Sequence, residues 1–107
     1  MRWKCTCAYD GARFCGWQSQ ANHLAVQDVL EDQLKFIFKK FIRIHGSSRT
    51  DAGVHAKGQV FHFDWDETFK IKPSTIIKAI NRVLPPDIHL IKIYSVASNF
   101  HARFDAK

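Results

Sequence analysis

The chain has 107 residues, 46% of them hydrophobic, and carries 16 Lys and Arg against 10 Asp and Glu, a formal charge of +6. That length accommodates one compact domain around one core and leaves no room for a second. The opening Met-Arg-Trp-Lys-Cys-Thr-Cys lacks the apolar run of a secretory leader and no later stretch reaches membrane-spanning length, so the expectation is a soluble, cytoplasmic protein whose basic balance favours polyanionic partners, nucleic acid first.

Residues 2–8 alternate, Trp3, Cys5 and Cys7 against Arg2, Lys4 and Thr6, which predicts a half-buried strand. Cys5, Cys7 and Cys15 lack Cys-x-x-Cys spacing, and Cys5 and Cys7 share a strand face with Trp3, so those two are expected as buried thiols rather than metal ligands. Asp10-Gly11 closes the strand with turn chemistry, and "ARFCGWQSQAN" shows no period, so it reads as a loop to Asn22. From about Ala25 to Lys40, the residues Val26, Leu30, Leu34, Ile37 and Phe41 form one apolar helical face. Glu31 stands four residues before Lys35 on another face and is expected to pair with it. Ile42 and Ile44, alternating with Arg43 and His45, predict a short second strand.

Gln59 to Trp65, "QVFHFDW", predicts a third strand with Phe61, Phe63 and Trp65 on one side and Val60, His62 and Asp64 on the other. Pro73 suits the first turn of a second helix, whose stripe is Ile76, Ile80, Val83 and Leu84 and which Pro85-Pro86 stops. "DIHLIKIYSV", Asp87 to Val96, predicts a fourth strand, its apolar run leaving the buried face open. The order β-α-β-β-α-β is the split βαβ arrangement of the ferredoxin-like α+β fold, a four-stranded antiparallel sheet with both helices on one face.

Candidate chemistry concentrates between the second and third strands, in "GSSRTDAGVHAK" from Gly46 to Lys57. Arg49, two residues from Asp51, can keep that carboxylate ionised for work as a nucleophile or base; the plainer reading is an Asx-type turn beside a surface arginine. Gly53 permits a sharp turn that presents Asp51 outward. His55 could pair with Asp51 as acid and base, although no Ser or Cys nucleophile is placed for hydrolysis. The remaining histidines, His23, His45, His62, His89 and His101, show no metal-binding spacing, so no metal is expected. "KGQVFHF" approaches an RNA-recognition signature, but Gln59, His62 and Asp64 break it, which assigns Phe61 and Phe63 to the core. Lys35, Lys39, Lys40 and Arg43 cluster in sequence and either meet phosphates or form a solvated helix face.

Taken together, "RTDAGVHAKGQVFHF", preceded by "YDGARFCGWQSQ" and "AVQDVLEDQL" and followed by "LPPDI" and "FHARFDAK", closely resembles the N-terminal half of the bacterial tRNA pseudouridine synthase family TruA. The resemblance runs nearly the whole length of the chain. It implies isomerisation of uridine to pseudouridine in the anticodon stem-loop of tRNA, without metal or organic cofactor, by enzymes that act as homodimers. On that resemblance Asp51 matches the essential aspartate and Arg49 the motif arginine, which would keep Asp51 charged and prop the space left by the departing base. Thr50, Gly53 and His55 match residues that shape the loop. Tyr9, Trp17 and Gln18, with Asp10, Gly11 and Gly16, match a second block that positions RNA or braces the site, and Arg43 is a further candidate for RNA contact. Ser48 stands where the family usually has glycine.

Family members carry a second domain with an active-site tyrosine that packs on the base, and neither Tyr9 nor Tyr94 matches it. Residues 1–107 are therefore expected to be an N-terminal domain, inactive by itself. The competing readings are a non-catalytic RNA-binding module on the same scaffold and a domain whose basic face meets protein or membrane.

Overall fold

The N-terminal alternation becomes β1 (Arg2–Tyr9), followed by a 3-10 turn (Gly11–Arg13), α1 (Val26–Phe38), β2 (His45–Gly46), β3 (Ala56–Asp64), α2 (Pro73–Val83) and β4 (Ile88–Val96). The structure is a computed structural model that describes residues 2–19, 21, 24–47, 53, 55–65 and 72–102. The four strands form one sheet in the order β2-β3-β1-β4, every neighbouring pair antiparallel. This is the expected ferredoxin-like α+β arrangement. Among the described residues no helix is long and apolar enough to cross a membrane.

Period-two alternation puts Cys5, Cys7 and Tyr9 of β1, Phe61 and Phe63 of β3, and Ile88 and Leu90 of β4 on one buried face, which Ile93 joins. Val26, Leu30, Leu34 and Phe38 of α1 and Ile76 and Ile80 of α2 cover that face. Burial pushes the Cys7 thiol up to about 12 and the Cys5 thiol well above its ordinary value, so both are protonated packing groups. Phe61 and Phe63 are core rings, each 1% exposed.

Three local features depart from the sequence expectations. Lys39 adopts a left-handed conformation (φ 63°) and its N–H bonds the Lys35 carbonyl at 2.9 Å, which ends α1 at Phe38. Phe41 is thereby turned out to 53% exposure, and Phe38, one turn beyond Leu34, is the buried ring, packed on Phe63 and Trp65. Glu31 faces inward rather than pairing with Lys35: it accepts from the Ile44 N–H (3.0 Å) and from Gln27 Nε2 (3.2 Å), with the Arg43 guanidinium 3.5 Å away. Gln27 Nε2 also donates to the Ile44 carbonyl at 3.4 Å. The chain entering β2 thus takes its hydrogen bonds from helix side chains, and the strand itself shrinks to His45–Gly46 while Ile42 and Ile44 stay buried.

The ambiguous face of β4 is decided by a register shift opposite Thr6 and Cys7. It lets Leu90 and Ile93, three residues apart, both face the core and leaves Ile91 40% exposed. Asn81 of α2 bonds both the N–H and the carbonyl of Leu90 at 2.8 Å, covering part of this edge strand.

Candidate active site

In this topology the end of β1 meets the beginnings of β3 and β4, so Tyr9 pairs with both Ala56 and Ile88. The next residue, Asp10, donates its N–H to the Asp87 carbonyl at 2.9 Å. Its carboxylate accepts from the Ala12 N–H at 3.0 Å and caps the 3-10 turn. A cleft of about 580 Å³ opens at this corner, with Asp10, His55, Lys57, Asp87 and His89 among its lining residues. It offers carboxylate acceptors beside an ammonium and two imidazoles, a mixture suited to a polar ligand carrying hydroxyls and phosphate.

The segment that the sequence singled out is fastened at both ends, to β3 before it and to the 11–14 segment beside this corner after it. Gly46 opens it, pairing with Phe61. A Cβ built on Gly46 would overlap the Trp17 indole, lying 2.7 Å from Cε2, so only glycine fits. Ser47 extends the pairing, its N–H donating to the Val60 carbonyl at 2.7 Å and its hydroxyl to Gln59 Oε1 at 3.3 Å. On the far side Gly53, with φ 80°, donates its N–H to the Phe14 carbonyl at 3.1 Å. His55 Nδ1 lies 2.9 Å from the Gly11 N–H and 3.0 Å from Asp10 Oδ1. Asp51, Arg49, Thr50 and Ser48 lie outside the described residues, and with them the pairing of Arg49 with Asp51 and the dyad of Asp51 with His55.

Tyr9 and Trp17 are brought together in the core, 4% and 3% exposed, with ring centroids 6.1 Å apart, and Trp17 leans on Phe61 at 5.8 Å. Their rings therefore support the floor under the Gly46 segment. Ala25 provides no side-chain cap to α1. The Gly16 and Trp17 carbonyls take the N–H groups of Val26 (3.2 Å) and Gln27 (2.9 Å) instead, so this loop is also the start of the helix. Gln18 is exposed, and Ser19 N–H is held by Gln27 Oε1 at 3.0 Å.

Arg43 is not brought to the cleft. His45 pairs with His62, so the residues before it run toward the Asp64 end of β3, away from Ala56. There its guanidinium covers the Phe41 ring at 5.0 Å and faces Glu31.

Sequence reasoning did not single out Asp10, Lys57, Asp87 and His89 as one cluster. The signal was topological, since a β-α-β-β-α-β order places the end of the first strand beside the starts of the third and fourth. It also missed a histidine group on the face of the sheet away from the helices. His45 and His62 stack across β2 and β3 at 4.9 Å, and His101 meets His62 edge-on at 4.8 Å. His62 Nδ1 accepts the Ala102 N–H at 3.0 Å. Burial, reinforced by Arg2 and the neighbouring imidazoles, lowers His62 to about 4, and His45 is lowered for the same leading reason. At neutral pH these two rings are therefore uncharged acceptors and packing groups. Arg2 and Asp64 pair beside them at 2.8 Å, a hydrogen bond that raises the guanidinium and lowers the carboxyl.

The sequence model of the tRNA pseudouridine synthase family matches residues 6–105. A relative from Exiguobacterium sibiricum named tRNA pseudouridine synthase A is 47% identical over 104 residues, which is 97% of this chain and 41% of the relative. Its namesake from Akkermansia muciniphila is 50% identical over 101 residues, 94% of this chain and 38% of the relative. That from Oceanobacillus iheyensis is 46% identical over 107 residues, 99% of this chain and 42% of the relative. The chain thus spans about two-fifths of the length of these relatives. The match covers both strands and loops that build the cleft corner, and the chain belongs to the tRNA pseudouridine synthase family.

Proposed function

We propose that this chain is the aspartate-bearing N-terminal domain of a tRNA pseudouridine synthase, with Asp51 as the reactive carboxylate and Arg49 as its electrostatic partner. The observation that carries this reading is the double anchorage of the motif: Ser47 bonds β3 on one side of Asp51, and Gly53 and His55 bond the 11–14 segment on the other. Both fastenings involve residues close to Asp51 in the chain, and His55, four residues after it, lines the polar cleft at the end of the sheet. An ionised carboxylate on Asp51 serves either route to base migration, attack on the sugar carbon or removal of a sugar proton, because both begin with a negatively charged oxygen. Extruding the uridine from its stack costs a few kcal/mol, which contacts of a +6 chain with flanking phosphates help to offset.

The substrate on this reading is the anticodon stem-loop of tRNA, and the complete enzyme is a cytoplasmic homodimer. The second domain supplies the aromatic side chain that packs on the base, so the 107-residue chain alone has no turnover. The test is Asp51→Asn in the complete enzyme, followed by pseudouridine formation within tRNA and by tRNA affinity. A synthase loses product formation by several orders of magnitude and keeps its affinity. Unaltered product formation in the variant refutes the assignment of Asp51. A wild-type protein that binds tRNA and never forms pseudouridine establishes the non-catalytic module in its place.

A further inference from the structure

The contacts of His55 are not those of an ordinary surface imidazole. Its Nδ1 faces a donor, the Gly11 N–H at 2.9 Å, and an acceptor, Asp10 Oδ1 at 3.0 Å. One ring nitrogen satisfies only one of them at a time. With the proton on Nε2, Nδ1 is a lone pair that accepts from Gly11; in the imidazolium it is an N–H that donates to Asp10. Both partners belong to the same corner, at almost the same distance. Among the described residues, the other ionisable side chains lining the same cleft are Tyr9 from β1, Lys57 from β3 and Asp87 and His89 from the turn and start of β4.

We infer that His55 is a positioning residue, a clamp that fastens the chain just beyond Asp51 to the Asp10–Gly11 corner in both of its protonation states. Gly53 supplies the second fastening through the Phe14 carbonyl. The two clamp points stand two and four residues after Asp51 in the chain, so play at either is passed to the carboxylate with little backbone between to absorb it. Misplacement of a reacting group by about 1 Å costs on the order of 100-fold in rate. The His55 side chain is 63% exposed and adds little to the core, so the clamp serves placement rather than stability. The catalytic half of this inference rests on the function proposed above; the clamp itself does not.

Two measurements separate them. In the 107-residue chain, nitrogen-15 spectra of the imidazole and hydrogen exchange at the Gly11 and Gly53 amides are followed from pH 8 down to the acid end at which the spectra themselves show both ring nitrogens protonated. The expected result is the Nε2–H tautomer at pH 8 and protection of Gly53 at both ends of the range. Asp10→Asn is expected to keep that protection at pH 8 and lose it at the acid end, because the imidazolium then has no carboxylate to hold. His55→Asn, whose amide places an oxygen and an N–H near the Nδ1 position, retains protection at both pH values, and His55→Ala loses it. An Nδ1–H tautomer at pH 8, or an Asp10→Asn chain protected equally at both pH values, overturns the clamp.

In the complete enzyme, His55→Ala is expected to lower kcat about 10- to 100-fold with tRNA affinity changed by no more than about twofold. His55→Asn should recover most of that loss. Equal loss in the Ala and Asn variants, or an unchanged kcat in His55→Ala, overturns the positioning role. A complete wild-type enzyme without turnover would sink the proposed function, whereas the clamp stands or falls on the tautomer and the amide protection alone.

Discussion

Replacing Gly46 by alanine places a methyl group where the Trp17 indole already lies. The added Cβ would stand 2.7 Å from Cε2 and 3.1 Å from Gln59 Nε2, whereas carbon atoms settle at about 3.5–4 Å. The indole has nowhere to retreat: it is 3% exposed and held between Tyr9 and Phe61. Gly46 cannot retreat either, because it is paired with Phe61 across the sheet. A forced shift of nearly 1 Å in a packed core costs about 1–3 kcal/mol, which lowers Tm by ~5–15 °C in a domain of this size. Thermal unfolding with tryptophan emission reads both the loss and the moved ring. Trp17→Phe removes the overlapping part of the indole, so Gly46→Ala should cost less in that background, with a coupling of about 0.5–3 kcal/mol. A Gly46→Ala chain with wild-type Tm and emission, or strict additivity in the double variant, would refute the argument that glycine is required here by Trp17.

The remaining predictions concern the polar groups of the interior. His62 is held at about 4 in the fold against an ordinary 6.5, so the unfolded chain takes up a proton that the folded chain refuses between those values. Stability is then complete above pH 6.5, falls as pH drops toward 4, and the loss reaches ~3 kcal/mol at most; urea midpoints should show it, and His62→Leu should flatten the slope. An equal slope in that variant would place the titration elsewhere. Glu31→Ala strands the Ile44 N–H and removes one of the two acceptors of Gln27 Nε2, and should cost about 1–3 kcal/mol, with Glu31→Gln costing less. Lys35→Ala should stay within about 0.5 kcal/mol, which denaturant unfolding distinguishes readily.

Much of this molecule was legible residue by residue. The alternation of Trp3, Cys5 and Cys7, the aromatic side of β3 and the Pro73-to-Pro85 limits of the second helix all follow from local periods and turn chemistry, and each element stands where those rules put it. Glu31 and Phe41 show where local rules stop. A helical wheel allots Glu31 to a polar face and Phe41 to the apolar one, but the carboxylate is drawn inward by the unpaired backbone of Ile44, and Lys39 ends the helix before Phe41 can join its stripe. Within the candidate site, the identity of "RTDAG" was plain from its letters, whereas the partners of Gly53 and His55 in the 11–14 segment were not.

The amino-acid order by itself determined the succession of elements, the apolar sides of β1 and β3 and the position of the candidate motif, because these depend on neighbours a few residues apart. Only the tertiary structure decided that Gly46 lies under Trp17, that Asp10 and His89 share a cleft with His55, and that Ile91 turns outward while Leu90 and Ile93 turn in. Those outcomes depend on register between strands far apart in the chain, and a single shift opposite Thr6 and Cys7 re-aims every side chain that follows it on β4.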